Sequence, residues 1–184
     1  MLHQVFKPTL IILSISIFAW IVFRMILRNL KTDRISYKNE LLLLLFVLYI
    51  VFVLCLTLLP VPMTRVDNPN AMDINVVPVI NTVKQSLDIF SRHNTFKRLH
   101  VIENILGNII LFIPLGIFLL LLFPKYSLKK IIVLAFLCSL SIELVQLIGR
   151  QFGNYRTVDI DDIILNTMGA IVGFIITRWV LKRV

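Results

Sequence analysis

The stretch Ser139–Gly173, SLSIELVQLIGRQFGNYRTVDIDDIILNTMGAIVG, decides how this chain is read. It opens in one long apolar run and closes in another. Glu143, Gln146, Asp162 and Asn166 fall inside or beside those runs. An ionisable or amide group in such a place is expensive unless a partner or a substrate needs it. The loop between the runs is short and carries Gly149, Gly153 and Asn154, so the two predicted helices turn back on each other and their polar residues can meet.

The rest of the chain has the same character. Over 184 residues it is 58% hydrophobic and only 16% charged, with a mean hydropathy of +0.90, too apolar for a soluble domain of this size. Apolar runs at residues 8–27, 41–59, 105–123, 128–148 and 163–181 are each near the length that crosses a bilayer. The expected fold is an all-α membrane protein, a single domain built as a bundle of five transmembrane helices. The first run has Lys7 before it and Arg24, Arg28 and Lys31 at its far end, with no small-residue cleavage motif, and reads as an uncleaved anchor. In the third, Pro114 marks a possible kink. The loop 60–104 contains Ile80, Val83, Leu87 and Phe90 opposite Asn81, Lys84, Gln85 and Asp88, the spacing of an amphipathic helix that either lies in the interface or caps the bundle.

A formal charge of +9 raises the question of nucleic acid, but the basic residues sit mainly in short loops between apolar runs, where topology signals belong. Nucleic acid is therefore set aside. Cys55 and Cys138 lie mid-run without paired spacing, so neither a disulfide framework nor a CxxC metal site is indicated, and both read as buried apolar side chains. Sorting charges by alternation puts ten bases, in Arg28–Lys38, Lys125–Lys130 and Arg178–Arg183, on one side of the membrane. That side is assigned as cytoplasmic, with the N-terminus outside and the C-terminus inside. Eight of the ten acids then fall on the outer side, at the level of the polar residues of spans three, four and five.

On span four Ser139, Glu143, Gln146 and Arg150 form one helical stripe. Glu143 lies about 8 Å below the outer end of its helix at roughly 1.5 Å per residue. On span five Asp159, Asp162, Asn166 and Gly173 share a face. Each has a plainer reading. Asp159 and Asp161 suit a helix N-terminus as caps, and Glu143 suits an ion pair with Arg150 or Arg156. Asn108 and Asn166 suit interhelical hydrogen bonds, and Gly169, Ala170 and Gly173 suit close helix packing. His93, His100 and Glu103 provide too few ligands for a zinc site, and no HExxH, GxSxG, P-loop or other cofactor motif is present.

Three motifs in order, NIILFIPLG at Asn108–Gly116, the SxxxExxQ stripe at Ser139–Gln146 and RTVDIDDIILNTMGA at Arg156–Ala170, resemble the VanZ family of bacterial membrane proteins. A weaker NVVP at Asn75–Pro78 extends the match, which covers Asn75 to about Gly173. The resemblance implies a bacterial cell-membrane protein of a family named for low-level resistance to teicoplanin, a lipid-anchored glycopeptide. The family's motif positions correspond here to Asn108, Pro114, Gly116, Glu143, Gln146, Arg156, Asp159, Asp162, Asn166 and Gly169.

Residues and resemblance together favour an outer-leaflet binding protein whose partners are membrane lipids and a lipid-linked cell-wall precursor or lipoglycopeptide. Arg150 and Arg156 would hold phosphate or carboxylate, and Glu143 and Asp162 would accept from amine or sugar groups, with Asn108, Gln146, Asp159 and Asn166 completing the site. The alternative is an intramembrane enzyme acting on a polyprenyl-phosphate or other envelope lipid. There Glu143 is the proton donor and Asp162, beside Arg156, the ionised partner. A scaffold or small transporter has less support, since no broken-helix repeats are present.

Overall fold

The computed structural model describes residues 2–30, 36–58, 74–75, 95–149 and 158–182. Five long helices account for nearly all of them: α1 (Leu2–Leu30), α2 (Tyr37–Leu58), α3 (Thr95–Leu122), α4 (Leu128–Gly149) and α5 (Ile160–Leu181). All five are long and apolar enough to span a membrane. One two-residue parallel pairing, β1 (Ile74–Asn75) with β2 (Val158–Asp159), is the only other regular element among the described residues. The protein is thus all-α and multi-pass in character, as its hydropathy requires. The expected amphipathic helix at Ile80–Phe90 lies outside the described residues.

The chain divides into two compact units, Met1–Thr64 and Arg65–Val184. In the first, α1 packs along α2, and Arg24 donates to Glu40 in an ion pair near the ends of the two helices. Most large side chains of α1, including Leu10, Ile11, Ile15, Phe18 and Phe23, point outward. On a membrane-spanning helix that is the lipid-facing side.

In the second unit α5 is the central element. It packs along α3 and along α4, whereas α3 and α4 touch each other little. Burial on α4 follows Ile131, Ala135, Ser139, Ile142 and Gln146, a helical stripe facing α5. Phe112, Leu115 and Leu119 of α3 and Ile163, Ala170 and Phe174 of α5 complete the apolar core. Cys55 is buried as expected, but Cys138 is exposed, because it lies off the inward stripe of α4.

Helices α3 and α5 meet almost backbone to backbone. A Cβ on Gly116 would lie closer than 3.0 Å to the Ala170 carbonyl oxygen, and one on Gly169 or Gly173 would meet the Ile109 or Ile113 carbonyl as closely. Glycine is required there by the approach of the neighbouring backbone, and Gly169 with Gly173 makes the small-xxx-small spacing that permits it. Ile109 facing Gly169 and Ile113 facing Gly173 show that α3 and α5 run parallel. Pro114 has no N–H to give the Ile110 carbonyl, yet α3 continues through it to Leu122.

Several helix boundaries differ from hydropathy, and two of the differences bear on the polar residues. Span three is expected at Ile105 but its helix begins at Thr95, so the last ten residues of the presumed loop are helical. Span five is expected at Ile163 but α5 begins at Ile160 with Asp159 as N-cap, in an extended conformation. Hydropathy registers where apolar residues start, whereas a helix starts where its first backbone N–H groups find a cap or water. At the opposite end Ser127 caps α4, its hydroxyl accepting from the Lys130 N–H at 3.4 Å. Tyr126 stacks on Phe123, with the Lys130 ammonium 3.8 Å from the Tyr126 ring centre.

Candidate functional site

Helix direction brings the polar residues to one end of the second unit. Asn108 of α3 reaches Asp162 of α5, while Ser139 and Glu143 of α4 reach Asn166 and Asp159 in the opposite order. Thus α4 runs antiparallel to α5. The early part of α3, the late part of α4 and the start of α5 share a level, the arrangement that three successive membrane crossings produce.

At the first turn of α5, Asp159 accepts from the Asp161 N–H at 2.9 Å, which confirms its capping role. Its own N–H donates to Glu143 Oε2 at 3.2 Å. The Glu143 carboxylate, only 5% exposed, therefore bridges α4 to the beginning of α5, where the helix dipole favours negative charge. The expected partners, Arg150 and Arg156, lie outside the described residues. Backbone pairing of Asn75 with Asp159 and of Ile74 with Val158 ties a segment of the long 60–104 loop to the same point. Asn75, the first residue of the NVVP motif, thereby stands beside the cap.

Asp162 faces α3. Its Oδ1 accepts from Asn108 Nδ2 at 2.5 Å and from Asn104 Nδ2 at 3.3 Å, and Asn108 Nδ2 also lies 3.4 Å from Asn104 Oδ1. Two amides thus converge on one carboxylate oxygen. Deeper in, Asn166 Nδ2 donates to Ser139 Oγ at 2.8 Å. Asn166 is 3% exposed, and its Oδ1 is buried with no hydrogen-bond partner among the described residues. A buried amide oxygen in that state costs about 1–3 kcal/mol until an N–H or O–H reaches it.

Of the residues singled out from sequence, Asn108, Glu143, Asp159, Asp162 and Asn166 join this network, and Gln146 is buried on the same stripe of α4. The interhelical hydrogen bonds and close glycine packing expected as plainer roles are also present, and they coexist with the unsatisfied Asn166 oxygen. Two participants escaped the sequence reading of the site, Asn104 and Ser139 as a direct partner of Asn166; Asp161, read from sequence as a cap, is buried with its N–H on the Asp159 carboxylate. For Asn104 the signal was its position four residues before Asn108, hidden by assigning it to the loop. Among the described residues no three of the types His, Cys, Asp and Glu stand together as metal ligands.

The family model described as VanZ/LLP1 matches residues 46–181. That range reaches well beyond the motifs, taking in the later part of α2 and the whole of α3, α4 and α5. No curated protein and no solved structure matches the chain. Every residue of the network lies within the matched range, and the chain belongs to the VanZ/LLP1 family.

Proposed function

We propose that the polar cluster at the shared end of α3, α4 and α5 binds the head of a lipid-linked or amphipathic ligand at the outer leaflet of a bacterial cell membrane, and through it contributes to glycopeptide (teicoplanin) resistance. The observation that carries this reading is the Asn166 oxygen, buried and without a hydrogen-bond partner among the described residues, beside a network otherwise rich in hydrogen bonds. Glu143 and Asp162 add acceptors for amine or hydroxyl groups. Arg150 and Arg156, which flank the network in sequence, supply the cations for phosphate or carboxylate. The outward apolar faces of the same helices, including Leu144, Val145 and Met168, suit a hydrocarbon tail. Membership of a family named for teicoplanin resistance supports the choice of ligand class.

Mass spectrometry of lipids retained by the purified protein, together with titration of teicoplanin, tests the reading. Glu143→Gln and Asp162→Asn keep shape and remove charge, so each is expected to weaken retention or affinity about tenfold or more while melting temperature stays close to the parent's. Unchanged affinity and lipid profile in both variants would end the proposal. Chemically converted lipid that depends on Glu143 would replace binding by acid–base catalysis.

The outer-leaflet assignment follows from the distribution of Lys and Arg. A cysteine introduced at Asn154 is expected to react with an impermeant thiol reagent in intact cells, and one at Lys129 to be protected, both in a background lacking Cys55 and Cys138. The reverse labelling would move the cluster to the cytoplasmic face.

A further inference from the structure

The first unit holds a second place where polar groups are built into an apolar setting. Between α1 and α2 lies a cleft of about 390 Å³ lined by Trp20, Ile21, Arg24, Tyr37, Glu40 and Leu44, among others. That volume is within the range of roughly 300–1,000 Å³ typical of small-molecule clefts. Arg24 and Glu40 form an ion pair on its wall, with side chains 20% and 36% exposed. Only part of the guanidinium is used, because Arg24 Nε is buried with no hydrogen-bond partner among the described residues.

The depth is informative. Arg24 is the penultimate residue of the apolar stretch Pro8–Met25, and Glu40 belongs to the first turn of α2. Both therefore stand where hydrocarbon gives way to headgroups, the level at which Trp and Tyr are favoured. A carboxylate beside a guanidinium repels a purely anionic ligand. The unsatisfied Nε–H nevertheless calls for a negative oxygen. A ligand that carries both charges a few atoms apart satisfies the two conditions together.

We propose that this cleft binds the headgroup of a zwitterionic phospholipid bearing a primary amine, a phosphatidylethanolamine. Its phosphate pairs with the Arg24 guanidinium, its ammonium donates to Glu40, and the first acyl carbons rest on Ile21 and Leu44. A choline headgroup has no N–H to give Glu40, and a glycerol headgroup has no cation. The site is separate from the polar cluster of the second unit and stands or falls without it.

The test uses the full chain in nanodiscs of equal parts dioleoyl phosphatidylethanolamine, phosphatidylcholine and phosphatidylglycerol, with retained lipids counted by native mass spectrometry. Phosphatidylethanolamine is expected to be enriched about tenfold over each of the others. Glu40→Gln should bring the ethanolamine-to-choline ratio close to parity, and Arg24→Gln should lower retention of both. Leu44→Trp fills the cleft without touching the ion pair and should displace the lipid with little change in melting temperature, which keeps the test decisive if an Arg24 variant does not fold. Equal retention of the three lipids, preference for choline or glycerol headgroups, or enrichment that persists in Glu40→Gln and Leu44→Trp would overturn the proposal.

Discussion

Gly173→Ala is expected to destabilise the second unit by about 2–4 kcal/mol, although it adds a single methyl group to a helix. The added carbon would lie well inside contact distance of the Ile113 carbonyl and close to the Ile117 N–H, both backbone atoms of α3 that no rotamer change can move. Relief requires α3 and α5 to separate along their length. That separation loosens the contacts of Gly116 with Ala170 and Gly169 with Ile109, and in lipid such close packing is a main source of helix association. Gly107 supplies the control on α3 itself, because a Cβ there meets nothing within 4 Å. Gly107→Ala should be neutral or stabilising, by up to about 1 kcal/mol. Thermal melts of the two variants in one detergent measure the contrast, and equal melting temperatures would mean that α3 and α5 are not in backbone contact.

The second large effect is expected at Asp162. Removing its carboxylate by Asp162→Ala leaves the amides of Asn104 and Asn108 without the oxygen on which they converge, at a cost of about 2 kcal/mol. Asp162→Asn retains an acceptor oxygen at nearly the same place, so its stability cost should be smaller. A double-mutant cycle separates this interaction from general disruption. In an Asn108→Ala background the cost of Asp162→Ala should fall by about 1 kcal/mol or more, because the main partner is already gone. Additive costs would show that the Asn108 contact contributes nothing to stability.

The sequence was informative where polarity contrasts with its surroundings. Ser139, Glu143 and Gln146 stand out as a helical stripe because their neighbours are apolar, and α4 does bury them. Asp159 could be read as a cap from its place before an apolar run. Specific partners were harder to see. Glu143 meets a backbone N–H, which every residue but proline possesses and no side-chain pattern announces. Asp162 is set near Arg156 by charge alone, and Arg156 lies outside the described residues; the two amides that geometry brings to Asp162 come from α3, distant in the chain and partly concealed in a stretch assigned to the loop. The pairing of Asn75 with Asp159 is beyond hydropathy altogether, since a two-residue strand has no period to detect.

The central position of α5 also sets a timetable for biogenesis. It is synthesised after α3 and α4, yet those two helices make most of their contacts through it and few with each other. Until α5 emerges, the amides of Asn104 and Asn108 have no Asp162, and Ser139 and Glu143 have neither Asn166 nor the Asp159 N–H. The two earlier helices are therefore incompletely satisfied until the last one joins them. A nascent chain arrested before α5 would present its polar stripes to lipid or to membrane proteases, and successful assembly would be completed from the last helix inward.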